Sequence, residues 1–172
     1  MDGRRVTNDT DFADWIRPHL GMLSRISRAF AAPADQHDLL QELLLTAWKA
    51  RPSFRADSSA ATFLYRVGHN RALTWKRREG LRALRLFEAR HEIAAAEADT
   101  NRQPEERQLQ ALYAAIRQLP PIDRSLVLSS LEGVSYADMA ALHGLSESNI
   151  GARLTRTRAR LVGLAAEMSD GL

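Results

Sequence analysis

Between Asn149 and Leu161 the chain carries four arginines, Arg153, Arg156, Arg158 and Arg160, and no acidic residue. Guanidinium groups present forked donors that match phosphate oxygens and the guanine edge. The chemistry open to this stretch is therefore nucleic-acid or other anion binding. On a helix, Asn149, Arg153, Arg156 and Arg160 fall at i, i+4, i+7 and i+11 and share one stripe. Ile150, Leu154 and Leu161, with Thr157 between them, share another. A recognition helix needs this split, an apolar back to dock with and a polar front to read with. A solvated charged face also tolerates arginine, although it more often mixes both signs.

The elements that would position this stripe are readable in the preceding residues. Ser135 is placed to cap a helix from Tyr136 to His143, Gly144 makes a turn, and Ser146 is placed to cap the last helix. Two helices joined by a short glycine-containing turn form a helix-turn-helix. Upstream, periodicity near 3.6 residues recurs and no period-two alternation appears, so the expected class is all-α. Helices are expected from Asp11 to Phe30, Asp35 to Ala50, Ser59 into the arginine-rich stretch, Glu105 to Gln118 and Asp123 to Glu132. The first would bury Phe12, Trp15, Ile16, Leu20, Leu23 and Ile26, and the second Leu39, Leu40, Leu43, Leu44 and Ala47. Ser53 to Ala60 reads as a polar loop.

Charge divides the 172 residues into blocks. Arg66 to Arg90 holds seven arginines and one lysine against two glutamates, a balance of +6, while His91 to Gln108 carries five acids against two arginines, −3. Two basic blocks on an acidic, Pro-marked connector read as two anion-binding modules on a linker. The expected division is 1–90, a connector 91–108, and 109–172. Of the 24 basic residues only two are lysine. The absence of cysteine excludes disulfides, thiolate metal sites and cysteine nucleophiles, and points to a reducing cytoplasm. No apolar run approaches the roughly 20 residues of a membrane span. The five histidines, His19, His37, His69, His91 and His143, show no metal-ligand spacing, and no phosphate loop or nucleophile elbow is present. No metal, cofactor or enzymatic activity is expected.

The stretches DLLQELLLTAWKA and SFRADSSAATFLYRVGHNRALTWKRRE resemble the second conserved region of bacterial sigma factors. LPPIDRSLVLSSLEGVSYADMAALHGLSESNIGARLTRTRARL is similar to their fourth. Both blocks, in this order and in a chain this short, resemble the extracytoplasmic-function (group IV) sigma factors. The resemblance implies two small helical domains, a region 2 bundle and a region 4 helix-turn-helix. It also implies a factor that directs RNA polymerase core to promoters.

Under that resemblance Asp38, Gln41 and Glu42, at i, i+3 and i+4, would grip the polymerase core. The loop with Arg55, Asp57, Ser58 and Ser59 would capture an extruded −10 base. The helix after it, presenting Arg66, His69, Asn70, Arg71, Lys76, Arg77 and Arg78, would hold the opening strand, largely through phosphates. Ser146, Ser148, Asn149, Arg153, Arg156 and Arg160 would meet the −35 element. An anti-sigma factor is an expected partner. Thr74, Ala60-Ala61 and Asn149-Ile150-Gly151 depart from the family pattern and bear on promoter choice. A sigma mimic that sequesters an anti-sigma factor, and a helix-turn-helix repressor, are the alternatives. The first has no need of paired DNA faces, and the second leaves the first half unexplained.

Overall fold

The computed structural model describes residues 11–89 and 104–170. Among these every regular element is helical. Residues 11–16 form α1 and a 3-10 turn, Arg17–His19, leads into α2, Leu20–Phe30. Then come α3, Gln36–Ala50, and α4, Ala60–Ala89. After the connector the helices are α5, Pro104–Gln118; α6, Pro121–Leu131; α7, Tyr136–His143; and α8, Glu147–Asp170. No described helix is long and apolar enough to cross a membrane.

Helices α2, α3 and α4 pack as a bundle. Leu39, Leu43 and Ala47, at i, i+4 and i+8, give α3 its buried stripe, against Leu23, Ile26 and Phe30 of α2 and Phe63, Leu64 and Ala72 of α4. Ser59 starts α4, accepting a hydrogen bond from the Thr62 amide at 3.1 Å. Leu20 does not join the stripe expected of it and is 41% exposed. The sequence Arg17-Pro18-His19 winds as 3-10 with the proline in its first turn, and three residues per turn rotate the following helix out of phase with α1.

Gly68 sets the approach of α2 to α4. A Cβ built there would lie 3.2 Å from Ile26 Cδ1 and 3.4 Å from a Leu23 methyl. Gly68→Val should therefore overpack the crossing and lower stability by about 1–3 kcal/mol, read from a chemical or thermal melt. An unchanged midpoint would mean the helices separate freely.

In the second bundle α8 lies across α5, α6 and α7, burying Ile150, Leu154, Thr157 and Leu161 as the spacing requires. Ser135 caps α7, taking the Asp138 amide at 3.0 Å. Gly144 closes α7 in the left-handed conformation (φ 65°), and Leu145 N–H reaches the Ala140 carbonyl at 3.0 Å. A side chain is disfavoured at that φ, so glycine sets the turn. Helix α5 begins at Pro104, so residues 104–108 of the expected connector are helical, while 91–103 lie outside the described residues.

The two bundles pack against each other through α2 and α4 on one side and α5 and α6 on the other. Arg124 of α6, 3% exposed, donates to the Ala29 carbonyl at 3.1 Å and to its own module's Arg117 and Leu119 carbonyls at 2.5 and 3.0 Å. Its guanidinium sits 5.1 Å from the Phe30 ring centre. Tyr65 of α4 donates to the Ser125 carbonyl at 2.6 Å, Arg117 to the Arg28 carbonyl at 3.0 Å, and Arg25 pairs with Glu132 at 2.5 Å. These hydrogen bonds across a buried seam fix one register between the modules, although Arg124 Nε is buried there without a partner.

Candidate nucleic-acid interface

The α8 stripe divides in two. Ser148, Asn149, Arg156 and Arg160 are exposed. Arg153 is not free: its Nε and Nη2 both donate to Asp123 Oδ1, at 2.9 and 2.8 Å. This corrects the equal footing given to the four polar positions. Asp123 lies in the first turn of α6, where a carboxylate suits the helix dipole, and it takes the side-on fork of Arg153. Ser146 is likewise committed, capping α8 through the Asn149 amide at 3.2 Å. Arg158 leaves the front altogether and donates to Ser130 Oγ at 2.7 Å. The free surface is Ser148-Asn149, Ala152, Thr155-Arg156 and Arg160.

On α4, Arg66, Asn70, Lys76, Arg77 and Arg78 are exposed. Arg66 and Asn70 are one turn apart, and Thr74 Oγ1 donates back to the Asn70 carbonyl at 3.0 Å, continuing that line toward Arg77 and Arg78. Arg66 leans over the Phe63 ring at 5.9 Å, and Lys76 pairs with Glu79 at 3.1 Å. Two residues expected on this surface are elsewhere. His69 is buried, 2% exposed, packed against Phe30 of α2 and against Tyr65 one turn before it. Arg71 turns toward α3 and pairs with Glu42.

In the loop before α4, Arg55 and Asp57 are exposed and Ser58 half-buried. Ala56 holds a left-handed backbone, φ 60°, a conformation that strains an L side chain. Phe54 anchors the loop against Phe63 and Trp15, with ring centres 5.1 and 5.8 Å apart. Beside it lies an open pocket of about 460 Å³ lined by Asp11, Trp15, Arg51, Pro52 and Phe54, with Arg51 over the Trp15 ring. Sequence reading assigned Trp15 to the core and passed over Arg51. An aromatic wall beside a guanidinium is a signal visible only once both helices are in place.

Of the three residues expected on the α3 face, Asp38 and Gln41 stand in solvent, Gln41 Nε2 lying 2.8 Å from His37 Nε2. Glu42 is half-buried against Arg71. The exposed stripe continues instead through Leu45, 53% exposed, and Trp48, 38% exposed, at i+7 and i+10 from Asp38. Two large apolar side chains in water beside an acid and an amide make a mixed surface of the kind partners cover. The inward stripe expected from spacing, Leu39, Leu40, Leu43, Leu44 and Ala47, already left Leu45 and Trp48 outside it, and that was the signal that could have found them.

A family model described as Sigma-70 region 2 matches residues 15–82, and one described as Sigma-70, region 4 matches 109–161. The chain is 28% identical over 163 residues to the ECF RNA polymerase sigma factor SigM of Mycobacterium tuberculosis, covering 94% of this chain and 80% of that one. It is 28% identical over 153 residues to the ECF RNA polymerase sigma-E factor of Escherichia coli, covering 83% and 80%. Among solved structures, the sigma factor RpoE in complex with the anti-sigma factor NepR from Bartonella quintana superposes with a TM-score of 0.69 at 25% identity, over 90% of this chain and 96% of that one.

Proposed function

The chain belongs to the sigma-70 family, in its extracytoplasmic-function group, and on that premise we propose that it carries promoter choice to core RNA polymerase. The α3 stripe of Asp38, Gln41, Leu45 and Trp48 is the polymerase-binding surface. Arg55 and Asp57 with the α4 line from Arg66 to Arg78 take the −10 element, and Asn149, Arg156 and Arg160 take the −35 element. The observation that carries this is the pairing: each bundle holds an exposed, basic, hydrogen-bonding stripe opposite its own apolar core. A repressor needs one such face. The nucleotide chemistry belongs to the polymerase, and the chain works where polymerase is, in the cytoplasm.

Geometry adds a condition. Elements about 25 base pairs apart at 3.4 Å per step lie roughly 85 Å apart along DNA. A globule of this length has a radius of gyration near 16 Å, hence a diameter of roughly 40 Å. The closed chain cannot reach both elements, so the bundles must separate on the polymerase. The similar RpoE was crystallised in complex with the anti-sigma factor NepR, and an anti-sigma partner that holds this chain closed fits the same geometry.

Alone, the protein should bind promoter duplex weakly, and with core polymerase it should give defined transcripts from a promoter library. Tight operator binding by the isolated chain, with no transcript on adding core enzyme, would replace this reading with that of a repressor.

A further inference from the structure

The seam between the bundles buries two imidazoles against each other. His69 comes from α4 and His143 from the end of α7, and their ring centres are 5.1 Å apart, edge to face at 76°. His69 is caged by Phe30, whose ring centre is 5.8 Å away, and stacks on Tyr65 at 6.1 Å and 4°. Its Nδ1 is buried with no hydrogen-bond partner. His143 is tied into the seam through Ser125: its Nε2 is 3.2 Å from Ser125 Oγ, which is 3.0 Å from the Tyr65 hydroxyl. Tyr65 gives its one proton to the Ser125 carbonyl, so Ser125 must donate to Tyr65, and His143 must donate from Nε2. That order of donors runs across the boundary between the modules and holds with both rings neutral.

We propose that His69 and His143 form a proton-sensitive latch between the two modules: neutral, they hold the chain closed; protonated, they release it. The charged groups that the packed elements bring to this place leave a new cation without a counterion. On α6, Arg124 is a buried cation already; Glu79 of α4 acts on it but is paired with Lys76, and on α8 Arg153 lies close enough to His143 to disfavour its protonation. On α2, Arg25 is paired with Glu132, and Asp123 is taken by Arg153. Tyr65 is held neutral, its pKa pushed up to about 12 by burial. Among the described residues no carboxylate bonds either imidazole. An imidazolium at His69 would face two aromatic rings and a second histidine, and opening the seam returns it to water.

Burial, reinforced by His143, pushes the His69 pKa down from 6.5 to about 4, and burial lowers His143 as well. The sign follows from which state binds the proton. In the open chain the rings titrate near their ordinary value, so closure is fully stable above about 6.5 and weakens as pH falls from there toward 4. Each proton taken up only by the open state lowers the closure constant by about tenfold per pH unit in that window. The device concerns the chain alone and does not depend on which DNA or enzyme it serves.

The chain has no cysteine, so Lys49→Cys and Ala159→Cys, both at exposed positions on opposite modules, give a clean donor–acceptor pair for energy transfer. Between roughly pH 8 and pH 5 transfer should fall reversibly, with helicity by circular dichroism retained. Adding His69→Gln and His143→Gln should flatten the response. Should that variant not fold, His143→Gln alone, which keeps a donor for Ser125, should shrink it. Constant transfer in the labelled parent across this range would overturn the latch, as would a full response in either glutamine variant.

Discussion

Asp38→Arg with Gln41→Arg should reduce transcription with core polymerase by about a hundredfold or more while leaving the fold and DNA faces in place. Both side chains are exposed on α3 and neither touches the core beneath, and such substitutions usually change stability by less than about 0.5 kcal/mol. Their neighbours Leu45 and Trp48 are large and apolar, so a partner covering the stripe desolvates it. A carboxylate in such an interface makes charge-assisted contacts, and reversing its sign sets like charges together at a penalty of several kcal/mol. Glu42 is left out of the test because it is paired with Arg71. Reversing it would place two arginines together inside the bundle and confuse folding with binding. Core-binding titration and a melting curve on the same preparation decide the matter. A variant that melts normally and still supports transcription removes α3 as the polymerase surface.

Arg156→Ala should cost about 1–3 kcal/mol at the preferred −35 sequence, roughly 5- to 150-fold in initiation, and should flatten discrimination among −35 variants. Arg156 is exposed at the middle of the free stripe on α8, with Asn149 two turns before it and Arg160 one turn after. Arg78→Ala should instead weaken all promoters alike and lower the salt dependence by about one phosphate's worth. Arg153→Ala belongs with neither. It removes a strut between α8 and α6 at Asp123, so its effect should follow the stability of the helix seat rather than the sequence of the −35 element. Equal, sequence-independent losses at Arg156 and Arg78 would mean that α8 holds phosphates without reading bases.

Much of this was legible in the letters. Caps and breakers act within a few residues, so Ser135, Gly144 and Ser146 marked the helix-turn-helix correctly and Ser59 marked the start of α4. The buried set Ile150, Leu154, Thr157 and Leu161 followed from spacing alone. What the letters withheld is whatever depends on a second element. Arg153 and Arg156 are alike on a helical wheel, and only Asp123, 30 residues earlier, separates them. Glu42 shares a face with Asp38 until Arg71 of α4 claims it. Leu20 lost its place in the core because a three-residue turn changed the helix phase. His69 and His143 looked scattered, being 74 residues apart in the chain, and nothing short of the docked bundles brings them together.

The distance in sequence between the two sides of the seam also has a consequence during synthesis. Tyr65 meets Ser125, 60 residues later, and Arg25 meets Glu132, 107 residues later. Chains emerge at about 5–20 residues per second, so roughly 3–12 s pass between the appearance of Tyr65 and that of its partner. Over that interval the first bundle can complete α2, α3 and α4, yet the sides of Phe30, Tyr65 and His69 that face Arg124, Ser125 and His143 in the finished chain have no cover. The seam thus waits for a partner that is still unmade, and its aromatic half stays open to wrong associations in the newborn chain through that interval.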